Sequence, residues 1–313
     1  MTGVTVLIGG PTASGKSALA LALAEAFDGV VVNADSRQVY RELRILTARP
    51  GPEEEARAPH RLYGVLPASE VCSVGRWRAM ALNETRTAHE AGKVPILVGG
   101  TGLYFRAITR GLAPVPAVPA EVRAAARSRH ARLGSPALRA ELARRDPASV
   151  ACLAGGDTQR LLRAWEVLEA TGRPLAVWQK LGDEGALEGP VACFVLAPPR
   201  RELYAACNAR FAAMVRRGAV EEMAALEGLG LDESLPAMKT VGVAELRRYL
   251  AGEVTLPEAT AAAQRATRRY AKRQMTWFRH QMREATFIEA QYSESVAQEV
   301  KARVARSLLT QGK

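Results

Sequence analysis

Apolar residues along this chain keep two rhythms. Short unbroken runs at Val4–Ile8, Val30–Val32, Pro95–Val98 and Val191–Leu196 have the length of fully buried strands. Between them, Ala18–Phe27, Arg76–Ala91 and Leu203–Leu226 space their apolar residues as helices do, and Ala91-Gly92 supplies a stop signal. Strand, helix and strand in alternation predict right-handed βαβ units and a parallel sheet flanked by helices. Arg49–Pro67, rich in proline, glycine and charge, reads as a loop.

The rhythm changes after Gly111–Pro119, whose three prolines predict a linker. From Pro119 to Gly172 there is no strand-like run. Pro119 and Pro136 suit first helical positions, Ser135 and Asp157 suit N-caps, and Gly172 before Pro174 suits a helix end. Because Val191–Leu196 returns to strand character, the helical block is expected to be an insertion. The expected division is an α/β core at 1–115 and 190–313 with an all-helical domain at 116–189. Farther on, Thr255-x-x-Glu258 with Pro257 reads as a capping box, opening a helix expected to run through Arg283. The tail after Glu284 reads as helix with alternating charge.

At 313 residues, 48% of them hydrophobic, the chain is long enough for a sizeable core and two domains. Its net charge of +11 fits a polyanionic partner, or simply a soluble protein from an Arg- and Ala-rich proteome. Placement of the charge separates the two. Arg123, Arg127, Arg129, Arg132, Arg139, Arg144, Arg145, Arg160 and Arg163 stand in the helical block among few acids. Arg210, Arg216 and Arg217 follow on the next helix. On the long helix from Thr255, Arg265, Arg268, Arg269, Lys272, Thr276, Arg279 and Arg283 share one face, with Tyr270, Trp277 and Phe278 turned away. Residues 264–283 contain no Asp or Glu, so this face lacks i,i+4 partners and favours phosphate binding over simple solvation.

The four cysteines, Cys72, Cys152, Cys193 and Cys207, form no C-x-x-C pair and read as reduced thiols in a cytoplasmic protein. The start MTGVTVLIGG has no basic n-region and too short an apolar run for a membrane span, so neither a signal peptide nor a membrane anchor is expected.

Chemistry enters at Gly10-Pro11-Thr12-Ala13-Ser14-Gly15-Lys16-Ser17, which fits the phosphate-loop pattern G-x-x-x-x-G-K-[ST] between a strand and a helix. Backbone N–H groups must converge on a phosphate there, and glycine keeps side chains out of the way. Lys16 adds a cation, the Ser17 hydroxyl can ligate Mg²⁺, and the helix points its positive end at the anion. Asp35, in Asn33–Gln38 just past the second strand, lies on the same rim, where parallel sheets bind ligands. It can be a turn or N-cap residue, a magnesium ligand or a general base, and the phosphate loop beside it favours the functional roles. The strand at Pro95–Val98 ends in Gly99-Gly100-Thr101-Gly102 instead of the carboxylate that hydrolytic P-loop enzymes use, which weighs against an ATPase or GTPase. Thr101 can hydrogen-bond a substrate or serve a turn.

Taken together, GPTASGKS (10–17), NADSRQVY (33–40), VGGTGLY (98–104), Asp157–Arg163 with Glu169–Gly172, and YAKRQMTWFR (270–279) resemble the tRNA dimethylallyltransferase family over most of the chain. The resemblance implies a P-loop NTPase-like α/β fold with an inserted helical domain. It implies transfer of a dimethylallyl group to N6 of the adenosine beside the anticodon of tRNA. The phosphate loop, Gly10 to Ser17, then holds the diphosphate of dimethylallyl diphosphate, with Ser17 on Mg²⁺. Asp35 stands where the family places its general base, and Thr101 and Arg210 at substrate-binding positions. Ser36, Arg37, Gln38, Arg123, Gln159, Arg160, Leu161, Leu162, Arg163, Lys239, Lys272, Arg273, Gln274, Trp277 and Arg279, with Asp35 and Thr101, fall on stretches that meet the tRNA anticodon stem-loop. A monomer acting without a membrane is expected. The chain departs from the family at Glu42–Pro50, where two glycines and an acid of the usual pattern are missing, and at Gly242-Val243, where the family has Gly-Tyr. The rival readings are a P-loop kinase of a nucleoside or small metabolite, with the insertion as lid, and a non-catalytic RNA-binding NTPase.

Overall fold

The computed structural model describes residues 3–309, so the first two and last four residues of the expected core segments lie outside the described residues. The chain divides into two compact units. One joins the residues up to Thr109 with those from Leu187 onward, and the other is Arg110–Ala186.

The first unit is built on six strands, β1 (Thr5–Gly9), β2 (Gly29–Asn33), β3 (His60–Arg61), β4 (Val94–Gly99), β5 (Val191–Leu196) and β6 (Thr286–Ile288). They lie in the order β3-β2-β4-β1-β5-β6, every pair parallel. Every residue of β1 and β2 is buried, because a parallel sheet carries helices on both faces. Alternation along the strands deals one apolar run to two layers. Leu7, Val30, Val32, Leu97 and Val195 enter one core, and Val6, Ile8, Val31, Ile96, Val98 and Phe194 the other.

The first segment contributes helices α1 (Lys16–Ala26), α2 (Pro52–Arg57), α3 (Val74–Glu90) and α4 (Gly102–Arg110). The second unit holds α5 (Ala120–Arg145), α6 (Pro147–Ala151), α7 (Thr158–Thr171) and α8 (Leu175–Lys180) around Ala126, Leu138, Leu142, Leu161, Trp165 and Leu168. The chain then returns with α9 (Arg200–Arg216), α10 (Ala219–Glu227), α11 (Val243–Leu250), α12 (Leu256–Gln281) and α13 (Glu294–Leu309). Helical periodicity places Trp77, Ala81 and Ala88 of α3 in the first core, and Val296, Val300 and Val304 of α13 in the second. No helix among the described residues is long and apolar enough to cross a membrane.

Local structure corrects the sequence reading at five places. Arg49–Pro67 is not all loop: Pro52 starts α2, the Glu54 carboxylate accepts the Gly51 N–H (2.7 Å), and two residues pair with β2 as β3. Leu203–Leu226 is two helices, because Gly218 at φ 100° breaks it. Pro119 precedes the first helical residue of α5, and that helix is interrupted at Gly134 (φ 73°). The helix opened by the Thr255–Glu258 capping box stops at Gln281, short of Arg283. The tail begins as strand β6, paired with Phe194–Leu196, before α13. The arginines of the second unit also find more partners than the sequence suggests. Arg129 pairs with Glu141, Arg145 with Glu169, Arg160 with Asp157 and Arg163 with Glu166, while Arg139 binds the carbonyls of Val150, Leu153 and Ala154.

Candidate active site and nucleic-acid interface

Adjacent parallel strands β2, β4 and β1 end level with one another, Asn33 beside Val98 and Gly99 beside Gly9. Three loops leave from that rim: Gly10–Gly15, Ala34–Gln38 and Gly100–Thr101.

The Gly10–Gly15 loop folds as an anion cradle. Gly15 takes a left-handed φ of 85° immediately before α1, and a Cβ there would stand 2.3 Å from the Tyr292 Cβ. Ala13 holds a left-handed φ of 65°, uncommon for a side-chain-bearing residue and typical of ligand-binding loops. The first turn of α1 offers N–H groups with no partner inside the helix. Lys16 Nζ donates to the Pro11 carbonyl (3.2 Å). Burial, and then the Arg210 guanidinium, push the Lys16 pKa down to about 8 against the pull of the Asp35 carboxylate. Arg210, reaching from α9, donates to the Thr12 hydroxyl. Ser17 is exposed at the start of α1, and Ser14 Oγ is buried without a partner.

Opposite the cradle, Asp35 sits in a turn built by Asn33. The Asp35 N–H donates to Asn33 Oδ1 (2.8 Å), and Asn33 Nδ2 donates to the carbonyls of Asp35 and Leu62. Asp35 Oδ1 accepts the Arg37 N–H (2.9 Å). Asp35 also sits close enough to Lys16, Arg210 and Tyr270 to act on their charge states. Thr101 Oγ1 accepts the Ser36 N–H (2.9 Å) and donates to Ser36 Oγ (3.2 Å), so the Thr101 hydroxyl holds the acidic turn. Arg37 donates to the Pro236 carbonyl, next to the 3₁₀ turn Ala237–Lys239 on which Lys239 is exposed. Gln38 Nε2 binds the carbonyls of Thr47 and Ala48. The Glu42–Pro50 loop, with its missing glycines, is fastened from α10: the Glu222 carboxylate accepts the N–H groups of Arg44, Ile45 and Leu46 at 2.7–2.8 Å.

Helix α12 borders the site with two chemically different faces. On it Arg265, Arg269, Lys272, Arg273 and Arg279 are exposed, as is Arg283 just past its end, and Arg269, Lys272, Arg273, Arg283 and the half-buried Trp277 line an open groove of about 890 Å³. Two members of the expected basic stretch turn inward. Arg268 is half-buried with Nη1 on Asn208 Oδ1 (2.6 Å), and Gln274 is only 5% exposed. The cause is angular: Arg268 stands on the shoulder of the helix that meets α9, and Gln274 on the face opposite Thr276.

In the second unit, Arg123 is half-buried in the first turn of α5. Gln159 and Arg160 are exposed at the start of α7, where the Asp157 carboxylate caps the Arg160 N–H. Leu161, expected to meet RNA, is instead 3% exposed in the helical core, and Leu162 packs against that core. Arg163 pairs with Glu166 at 3.8 Å.

Sequence reasoning missed Asn33, Glu222, Gln291 and Tyr292. Gln291 Nε2 donates to the Ala13 carbonyl and the Tyr292 N–H to the Ser14 carbonyl (3.3 Å), so the segment after β6 braces the phosphate cradle. Asn33, within the quoted NADS, was in plain view. The others reach the site from segments far away in sequence, where no local pattern points to them.

A family model described as IPP transferase matches residues 38–281, and one described as isopentenyl transferase matches residues 3–71. A tRNA dimethylallyltransferase of Rhodospirillum centenum is 59% identical over 278 residues, 88% of each chain. That of Parvibaculum lavamentivorans is 53% identical over 298 residues, 95% of each. Among solved structures, the full-length tRNA isopentenylpyrophosphate transferase of Bacillus halodurans superposes with a TM-score of 0.71 at 31% identity, covering 100% of this chain and 98% of that one.

Proposed function

The chain belongs to the IPP transferase family, and on that premise we propose that it moves the dimethylallyl group of dimethylallyl diphosphate onto N6 of the adenosine beside the anticodon of tRNA, releasing diphosphate. The supporting observation is the single rim that holds a phosphate cradle with Lys16 and Arg210 on one side and the Asp35 carboxylate on the other.

The adenine amine is a poor nucleophile, so the allylic carbon must be made a strong electrophile. Charge grows on the departing diphosphate, and donors already fixed in place stabilise it: the α1 N–H groups, Lys16 and Arg210. Asp35 takes the amine proton as the new C–N bond forms. Its Oδ1 is held by the Arg37 N–H, which leaves Oδ2 for that proton. A base stacked in an anticodon loop cannot reach this rim, so the target adenosine is flipped out, with single-stranded RNA held along the exposed face of α12.

Among the described residues no cluster of three or more His, Cys, Asp or Glu side chains could hold a metal. The donor set instead suits Mg²⁺ arriving on the diphosphate, with the exposed Ser17 hydroxyl as protein ligand. Bound there, the ion would help neutralise the leaving diphosphate. A cytoplasmic monomer fits this reading.

Incubating the protein with unmodified tRNA and either labelled dimethylallyl diphosphate or γ-labelled ATP tests the proposal. Label reaching tRNA from the prenyl donor supports it. Phosphate transfer from ATP to RNA or to a small molecule would replace it with the kinase reading.

A further inference from the structure

Gln274 lies in the middle of a basic stretch, flanked by Lys272, Arg273 and Arg279, yet its side chain is buried 262 residues in sequence from the loop it serves. Its Oε1 accepts the Thr12 N–H at 2.8 Å, and its Nε2 donates to the Gly100 carbonyl at 2.9 Å. Both ends of one amide are therefore engaged, one in the phosphate cradle and one in the loop that carries Thr101. Gly100 shows how close the approach is: a Cβ there would stand 2.1 Å from Gln274 Nε2. The chain of contacts continues outward on both sides. Thr12 carries Arg210 on its hydroxyl, and Thr101 holds Ser36 beside Asp35.

We propose that Gln274 is a positioning residue that sets the spacing between the phosphate loop and the acidic turn, and that it is not a contact for tRNA. The inference rests on the prenyl-transfer reading for what the two loops carry, and on geometry alone for the coupling itself. One amide bridging the loops fixes the distance between leaving group and base, to which group transfer is steep: a displacement of about 1 Å can cost ~10²-fold in rate. Since α12 also presents the outer basic face, one helix carries both the anion-binding residues and the brace, on opposite sides.

The test uses two substitutions in the full chain. Gln274→Glu is nearly isosteric and keeps an acceptor for the Thr12 N–H, but it cannot donate to the Gly100 carbonyl and sets charge against it. Gln274→Leu removes both links. Three quantities are read: inorganic diphosphate binding by calorimetry, tRNA affinity across a salt series, and the single-turnover rate at saturating tRNA. For Gln274→Glu, tRNA affinity and its salt dependence stay at wild-type values, the added carboxylate weakens diphosphate binding by repulsion, and the rate at saturating tRNA and saturating donor falls about tenfold or more. Gln274→Leu lowers the rate without adding any charge and speeds amide exchange in the peptide containing Thr12. If the rate at saturating tRNA is unchanged in Gln274→Glu, or tRNA affinity drops by the several-fold expected of a lost RNA contact, the proposal is overturned. Should the leucine variant not fold, the glutamate variant decides alone. A wild-type protein that transfers no prenyl group would refute the activity, whereas diphosphate binding and Thr12 exchange still report on the brace.

Discussion

Replacing Arg269 and Lys272 together by alanine removes two exposed cations from α12 without touching its buried face. None of Arg265, Arg269, Lys272, Arg279 or Arg283 forms an ion pair among the described residues, so the substitution strands no acid and leaves no buried group unpaired. If each cation neutralises one phosphate of single-stranded RNA, the slope of log K against log salt flattens by ~0.7 per residue, about 1.4 for the pair. Across a roughly fourfold rise in salt that difference amounts to ~7-fold in affinity, so wild type and variant converge as salt increases. The assay is equilibrium binding of unmodified tRNA over a salt series, with the KM for dimethylallyl diphosphate measured alongside and expected to stay put, because the diphosphate site proposed above is Gly10–Ser17. Arg268→Ala is the internal control: its guanidinium is already committed to Asn208, so the slope should stay near wild type. An unchanged slope in the double variant, or an equal change in Arg268→Ala, would refute the reasoning and make the exposed stripe a solvated surface.

Asp35→Asn isolates a charge, since an asparagine oxygen still accepts the Arg37 N–H that shapes the turn. kcat should fall by about 10²–10⁴-fold with tRNA affinity kept, and a near-normal single-turnover rate would show that Asp35 only shapes the loop. Lys16, with its pKa lowered to about 8, loses charge as the pH rises through that value. kcat/KM for the donor, which reports groups of the free enzyme, should therefore decline above pH about 8, and Lys16→Arg should move that limb upward; a flat profile to pH about 10 contradicts this. Gly102→Ala drives a Cβ to 2.2 Å from the Trp277 ring, so urea unfolding should show a loss of about 1–3 kcal/mol, and unchanged stability would mean the ring moves freely.

Where the candidate site is built from contiguous residues, its local structure was legible in the sequence. The phosphate loop, the NADS turn and the VGGTG loop each pack several contacts into a few positions, and the strands that deliver them are short apolar runs with few other readings. The loop after β4 shows why: Gly100 and Gly102 are glycines because Gln274 and Trp277 press against them. What stayed hidden was decided by contacts between segments distant in sequence. The basic stretch on α12 could be phased by periodicity, but nothing local says that α9 covers Arg268 or that Gln274 faces two loops. In the second unit, arginine counts overstated free charge because Glu141, Glu166 and Glu169 approach from neighbouring turns and helices. Tyr292, on a tail that carries no motif, turned out to pack on Gly15.

The most direct measurement is the nucleoside content of unmodified tRNA after one turnover with dimethylallyl diphosphate and Mg²⁺ in the absence of ATP. Digestion and mass spectrometry should find a single added dimethylallyl group, on N6 of the adenosine beside the anticodon, with one diphosphate released per group transferred. Unmodified adenosine together with ATP-dependent phosphate transfer, or a prenyl group placed elsewhere on the tRNA, would contradict the account.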